Sequence, residues 1–515
     1  MQRWGVKLGI DFGTTRIVVA AADRGNYPII DFDSPDGNCD WFPSLIAVRG
    51  EVVRFGWDAW RMQTDPDWSI LRSLKRHLEQ SGPGTYLAIG EQEFLLTDLM
   101  AGLTGALHEA LRARFQGNQP LEAMLGVPAN ANGNQRFLTM DAFHKAGFQV
   151  LGLLNEPSAA AIEYGHRQKM KGRLLVYDLG GGTFDASLVE MQEGVHMVLD
   201  ADGISHFGGD DFDLALAKLA AGEEGLNSLT LAELFWLLEE CRRQKEALHP
   251  NSRRIVVDLD TVREGMGQAM VPVAEYYEQC RPLLEESVRI AARLAHEGHD
   301  IEALYVTGGG SELPLVARAL REQFGRKVKR SEYTRAATAI GLAVQADAES
   351  GYKLSEIFHR NFAVWRESEA GARMILDPIF RRGTRLPAAG EPGVTVSRVY
   401  RPVHNVGDFR YLEASHINDT NQPKGDIMVW DEIRFPFDPG LADAASLENV
   451  SVHKSGRAET QVIEELYIAD PAGVVTVKIR NLTSNYEREY RLGRWRANDV
   501  VVRPHTRKKS HKTGS

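Results

Sequence analysis

Cysteine is scarce in this chain. The three that occur, Cys39, Cys241 and Cys280, stand far apart with no CxxC or Cys/His spacing. Neither a disulfide framework nor a zinc site is indicated, and a reducing compartment is expected. Long apolar runs are missing as well: no stretch of about 18 apolar residues occurs, and the opening MQRWGVKLGIDFGTT has no apolar signal core. A cytoplasmic location without membrane association is therefore expected. Positive charge is in the minority, with a formal net charge of −10. Because phosphate neutralisation needs clustered Lys and Arg, no nucleic-acid partner is expected. Basic residues gather only between Arg503 and Lys512, where Pro504, Ser510 and Gly514 favour a frayed, solvated tail over a binding element. No GxxxxGK[ST] loop occurs and no GxGxxG follows a strand, which removes the ordinary P-loop and dinucleotide readings.

What is present is the composition of a folded globular chain, 43% hydrophobic and 25% charged over 515 residues. A prior of about 150 residues per domain predicts roughly three or four compact units. The first stretch reads as two apolar runs, VKLGID and RIVVAAAD, joined as a hairpin by the turn FGTT. A near copy returns as RLLVYD, LGGGTFD and ASLVEM, and such repetition predicts two similar lobes facing each other. The helix-period stretches LMAGLTGALHEALRARF and NQRFLTMDAFHKAG flank a short buried strand, MLGVPA, which predicts mixed α/β layers. Further helical stretches lead to the strand ALYVTGGG and the helix PLVARALREQF, so an α/β part is expected over residues 1–347. A linker is expected over 348–360, although Leu354, Ile357 and Phe358 are unusual in a flexible tether and suggest docking on a neighbour. From about Asn361 onward, runs such as FAVW, RMILDPIF and VVTVKIRN alternate with Gly, Pro and Asp turns. An all-β domain over 361–499 and a basic flexible tail over 500–515 follow.

Glycine lets backbone N–H groups come close to phosphate oxygens, and threonine adds hydroxyl donors. Asp11 with Gly13, Thr14 and Thr15 offers one such cradle; Asp178 with Gly180, Gly181, Gly182 and Thr183 offers a second. Either alone could be a turn in which the aspartate only forms the bend. Two matching copies, each with an aspartate ahead of the glycines, favour a phosphate site. Magnesium takes oxygen ligands and keeps several waters, so Asp11 and Asp178 on opposing lobes would hold a hydrated ion against phosphates. Gly308, Gly309 and Gly310, before a helix expected from Leu313, would add backbone donors at a helix start, unless they make only a tight strand-to-helix turn.

Seven words stand in a fixed order: GIDFGTT at 9–15, VPA with QR at 127–136, NEPSAAAIEYG at 155–165, DLGGGTFD at 178–185, HFGGDDFD at 206–213, TGGGSELP at 307–314 and AIGLAVQA at 339–346. Through them the chain resembles the heat shock protein 70 chaperones, the DnaK type, over nearly its whole length to about Asp499. Looser matches, IFRRGTRLP at 379–387 and IEELYIADPAGVVTVKI at 463–479, extend the likeness into the β-rich part. The resemblance implies an α/β actin-like ATPase domain, a duplicated ribonuclease H-like fold, followed by an all-β sandwich domain that binds clients. It implies an ATP-dependent molecular chaperone with slow ATP hydrolysis that holds extended or unfolded polypeptide. The implied cofactors are ATP/ADP and Mg2+, with K+ as a candidate monovalent ion. Asp11 and Asp178 would hold hydrated magnesium and Glu156 would orient its water shell. Thr14, Thr15 and Thr183 would contact phosphates, Asp185 would help bind the monovalent cation, and Gly208 and Gly209 would join the nucleotide-binding set. Lys75, in ILRSLKRHL, matches the family's catalytic lysine; on its sequence alone it reads as a solvated helix lysine.

The departures from the family pattern are local. Of the carboxylate, lysine and frequent arginine that surround the adenosine, ECRRQKEALH keeps only Lys245, with Arg242 at the carboxylate position and Glu246 at the arginine position. Glu312 stands where an arginine packs on the adenine, and Arg335 where the family has an acid. Either these swaps compensate one another around a purine, or they are solvated rim positions free to drift. Gly152 replaces the basic residue that receives a J-domain co-chaperone, and the linker KLSEIFHRN lacks the family's acidic, leucine-rich pattern. Dependence on that partner, or on a nucleotide exchange factor, does not follow. The chain ends soon after the β-rich part, so a branch without the helical lid is expected; a monomer is expected as well. Two rival readings share the phosphate turns: a small-molecule kinase of the actin-like superfamily, and a nucleotide-binding scaffold or filament with little turnover. The kinase would not account for NEPSAAA, FGGDDFD or the β domain.

Overall fold

The structure is a computed structural model and describes residues 5–492 except 36, 83, 116–118, 169, 194, 297–299, 369–372, 388–390, 445 and 472. The expected tail 500–515, and residues 493–499 at the end of the expected β domain, lie outside the described residues. The chain divides into two compact units, Met1–Ser355 and Glu356–Ser515, fewer than its length predicts.

In the first unit the FGTT hairpin forms from Val6–Phe12 and Arg16–Ala21, paired antiparallel with Ile10 opposite Val19. It sits inside a five-stranded sheet ordered Gln149–Asn155, Leu121–Val127, Val6–Phe12, Arg16–Ala21, Phe42–Pro43. Val6–Phe12 runs parallel to Leu121–Val127, a pairing that requires a crossover, and the helix Leu96–Arg114 lies in it. That helix buries Leu99, Met100, Leu103, Leu107 and Leu111, the three- and four-residue spacing of a single face, in the core beneath the sheet.

The second hairpin, Gly172–Leu179 with Phe184–Gln192, sets Asp178 opposite Asp185. Its six-stranded sheet is ordered Val328–Arg330, Ala303–Thr307, Gly172–Leu179, Phe184–Gln192, Val195–Ile204, Lys353–Ser355. A separate core fills this lobe, from Tyr177 and Phe184 to Phe212, Tyr276 and Leu304. Two cores thus lie within one compact unit, which is why chain length overcounts the units. The helix Ala337–Ala346 packs closely by means of glycine. A Cβ at Gly341 would come within 1.8 Å of the Ala159 carbonyl, and one at Gly9 within 2.2 Å of the Ala339 carbonyl. Part of the AIGLAVQA and GIDFGTT words therefore reflects packing.

The segment 348–360 contains ordered structure. Lys353–Ser355 adds to the second sheet as a strand parallel to Val195–Met197, burying Leu354. Ile357 and Phe358 belong to the second unit, where Phe358 stacks on Phe380 at 4.9 Å.

The second unit consists of two antiparallel four-stranded sheets. One is ordered Arg373–Phe380, Asn361–Ser368, Val406–Ile417, Pro423–Pro436; the other Val394–Tyr400, Ile463–Ala469, Val475–Asn481, Tyr486–Arg491. Both contribute to a common core, with Phe362, Tyr411 and Phe435 from the first and Ile463, Tyr467 and Ile479 from the second. The period-two alternation of Ile463–Ala469 also points one carboxylate, Glu465, into that core.

Candidate functional site

Both hairpin turns and the Gly308–Gly310 turn face one cleft of the first unit, with a cavity volume of about 110 Å³. Asp11, Gly13, Thr14 and Thr15 line it from the first hairpin, and Asp178, Gly180, Gly181 and Thr183 from the second. Gly308 adopts φ 83, and a Cβ there would meet the Leu179 carbonyl at 2.2 Å, so only glycine fits this turn. Glu156 enters because its helix, Glu156–Gln168, starts directly at the end of the strand Gln149–Asn155. Lys245 and Glu246 occupy the last turn of Leu231–Glu246, a helix started by the reciprocal cap of Thr230 and Glu233. With Arg242, Gly209, Gly309 and Gly310 they complete the cleft-lining part of the expected set.

Four expected residues stand just behind the wall. Gly182 packs on Thr14 and Gly208 on the backbone of Gly181. Asp185 accepts the Ala129 N–H at 3.0 Å. Glu312 pairs with Arg335. The cleft also takes Arg16, Asp210, Asp213, Thr334 and Thr338, which the sequence did not single out. Asp210 and Asp213 follow Gly209 within one helical turn, and that spacing was the available signal.

Lys75 is not a solvated helix lysine. It lies in a short 3-10 turn, Leu74–His77, with only 6% of its surface exposed, and its Nζ donates to Glu156. The preceding Ser73 takes a left-handed conformation, φ 56, and its Oγ donates to Asp210 at 2.8 Å; Arg76 donates to Asp211 at 2.8 Å. Segment 73–76 is thereby tied to the start of the helix Gly209–Asn227 in the other lobe.

Lys75 is a cation among four carboxylates, Glu156, Asp178 and Asp185, which are buried, and Asp11, which is half-buried. Burial, then Glu156, pushes Asp11 up to about 7 against the pull of Lys75. The same two causes push Asp185 up to about 7. Asp178 is raised by burial, then by Glu156 and Asp11. Burial alone would lower Lys75, but Glu156 and Asp11 outweigh it and the ammonium is held charged. With all four carboxylates ionised, the cluster carries three net negative charges at the wall of the cleft. Oxygen donors with an uncompensated charge of this size suit a divalent ion together with a monovalent one. Among the described residues no group of three or more His, Cys, Asp or Glu is placed to hold a metal ion directly.

At the other end of the cleft the exchanged charges answer one another. Arg16 donates to both oxygens of Glu246 at 3.0 Å; Arg335 reaches Glu246 at 3.3 Å and Glu312 at 2.6 Å. Burial would raise Glu246, yet Arg16, Arg335 and Arg242 together hold its carboxyl at about 2. Arg242 bonds Glu239, which also takes Arg72 at 2.9 Å, and Lys245 meets Asp213 at 2.7 Å. Arg16, Glu246, Arg335 and Glu312 thus form one connected ion chain, in which Glu246, Glu312 and Arg335 answer one another's charge, while Arg242 and Lys245 pair separately with Glu239 and Asp213.

A family model described as Hsp70 protein matches residues 79–360. The chain is 31% identical over 365 residues to a "Chaperone protein HscA homolog" of Bordetella pertussis, and 32% identical over 372 residues to a protein of the same name from Pseudomonas putida. Each alignment covers 67% of this chain and 58% of the relative, so the chain spans somewhat more than half the length of these relatives. Since the family match takes in more than half of the residues, the chain belongs to the Hsp70 family.

Proposed function

We propose that the chain is an ATP-dependent molecular chaperone: a slow ATPase in the first unit and a holder of extended or unfolded polypeptide in the second. The observation that carries this reading is the convergence of two aspartate–glycine–threonine hairpins, a glycine turn and a buried lysine on one cleft. In its finer form the reading makes the first unit an actin-like, duplicated ribonuclease H-like fold and the second a β-sandwich. The repeated hairpin, the two lobe cores and the pair of four-stranded sheets support it.

The roles follow from the groups present. Thr14, Thr15, Thr183 and the glycine N–H groups would bind the phosphate oxygens of ATP. Asp11 and Asp178 would hold hydrated Mg2+, with Glu156 accepting from its waters and Asp185 beside a monovalent ion such as K+. Magnesium, when bound, would neutralise charge on the phosphates as they separate. Lys75, fixed by Glu156, would place an ammonium where negative charge grows in phosphoryl transfer, and the buried setting strengthens that interaction. Arg16, Arg242, Lys245, Glu246, Glu312 and Arg335 would surround the nucleoside.

Unfolded polypeptides are the proposed partners, and nothing in the structure argues for a particular co-chaperone. Free thiols at Cys39, Cys241 and Cys280 are in keeping with a cytoplasmic setting, and among the described residues no helix is long and apolar enough to cross a membrane. The family match and the β-rich unit give no support to the kinase or filament readings. The test is Mg2+-dependent ATP hydrolysis measured beside peptide binding in ATP and in ADP. Slow turnover that stops on metal chelation, with peptide release faster in ATP, is expected; no ATP binding would overturn the reading.

A further inference from the structure

The second unit contains a cavity of about 570 Å³ whose floor is ionic. Arg366 donates to both oxygens of Glu465, at 2.9 and 2.7 Å, and to Asp377 at 2.6 Å; Arg398 donates twice to Asp377 at 2.9 Å. Glu465 has no exposed surface and also accepts from Tyr467. The carboxylates on the walls are engaged as well: Glu367 has His404 at 3.0 Å and Asp408 has Arg434 at 3.5 Å. The cations are less fully used. Arg401 is exposed and has no partner among the described residues. Arg410 is 3.6 Å from Glu432 with both side chains more than half exposed, a pairing worth little. Exposed apolar surface lies beside them, at Met374 (50%), Val399 (59%) and Val452 (42%).

Unused charge around this cavity is therefore positive. An aliphatic side chain pressed on the floor would strip water from Arg366 and Asp377 without replacing its hydrogen bonds. A lysine would find no carboxylate lacking a partner. A carboxylate would find guanidinium groups, whose fork matches its geometry. Two lining strands, Arg373–Phe380 and Val394–Tyr400, are also edge strands of their sheets, and an edge strand carries backbone groups on its outer side with which an extended chain can pair. That feature favours polypeptide over another polyanion.

We propose that this cavity binds extended acidic polypeptide segments, with carboxylates on Arg401 and Arg410 and flanking apolar side chains on Met374, Val399 and Val452. The proposal rests on the reading of the second unit as client-binding and names the class of client.

The test uses the full chain and three fluorescent peptides with one apolar frame, carrying Glu, Gln or Lys at the same positions. The Glu peptide should bind at least about tenfold tighter than the Gln peptide, weaken as salt rises, and exceed the Lys peptide further. Arg401→Glu and Arg410→Glu should each reverse most of that preference while Mg2+-dependent ATP hydrolysis and the unfolding midpoint stay unchanged. Equal binding of the three peptides, an unaltered preference in both variants, or equal competition by a single-stranded oligonucleotide would overturn the proposal. Binding without charge preference would sink this inference alone. Failure of every peptide to bind, with hydrolysis intact, would sink it together with the client-binding reading.

Discussion

Lys75→Ala should separate nucleotide binding from hydrolysis. Its Nζ is held against Glu156, and the residue is 6% exposed, so truncation removes the positive side chain from a cluster of four carboxylates. A preorganised charge of this kind is typically worth about 10²–10³ in turnover, or roughly 3–4 kcal/mol of transition-state stabilisation. ATP affinity should fall less, because the glycine turns and threonines are untouched. The variant also has a signature without nucleotide. Asp11 and Asp185 are pushed up to about 7 in the fold, against about 3.8 in an unfolded chain. Folding therefore takes up protons in that interval, and stability falls as pH rises, by up to about 1.4 kcal/mol per pH unit for each proton. In the wild-type protein this loss should level off above about pH 7. Without Lys75 the carboxylates hold their protons higher still, so the loss should continue toward pH 8. Single-turnover hydrolysis, equilibrium ATP titration and urea unfolding at pH 6, 7 and 8 measure the three effects. Turnover within about threefold of wild type would remove Lys75 from the mechanism, and parallel unfolding profiles would refute the electrostatic account.

Three further outcomes follow. Glu312→Ala or Arg335→Ala should each weaken ATP binding about five- to tenfold, while the exchange Glu312→Arg with Arg335→Glu recovers most of it; titration of the double-mutant cycle decides, and additive losses would show that the pair does not act as a unit. The same ion chain should read purines loosely, so ATP is expected to be preferred over GTP by less than about a hundredfold, roughly 2.7 kcal/mol, in competitive titration. His196 is buried against Tyr352, with Leu354 of Lys353–Ser355 opposite it, and burial pulls its imidazole down to about 4. An unfolded histidine binds its proton near 6.5, so stability at this edge should drop as pH falls from about 6.5 toward 4, by about 1.4 kcal/mol per unit; lower hydrogen-exchange protection at 353–355, with rates normalised to the intrinsic rate at each pH, at pH 5 than at pH 7, abolished by His196→Leu, is the readout.

Much of the first unit was legible because its signals are local. A hairpin announces itself through glycine between apolar runs, and a helix through its three- and four-residue spacing, so the repeated cradle and Leu96–Arg114 could be read directly. The β-rich character of the second unit was equally plain from alternation and turn residues. Burial of charge is a different matter. Lys75 sits in a stretch that looks solvated, and only the approach of segment 73–76 to the other lobe encloses it. Arg16 and Glu246 are 230 residues apart, so their mutual compensation could not be seen until the lobes met. Glu465 occupies the inward phase of a strand, where a carboxylate is expected to be excluded, and Arg366 on the other sheet makes it tenable. Sequence by itself determined the strands, helices and phosphate turns, since these depend on neighbours a few residues away. Tertiary structure decided which charges are buried and which remain free, because that depends on partners brought together from distant parts of the chain.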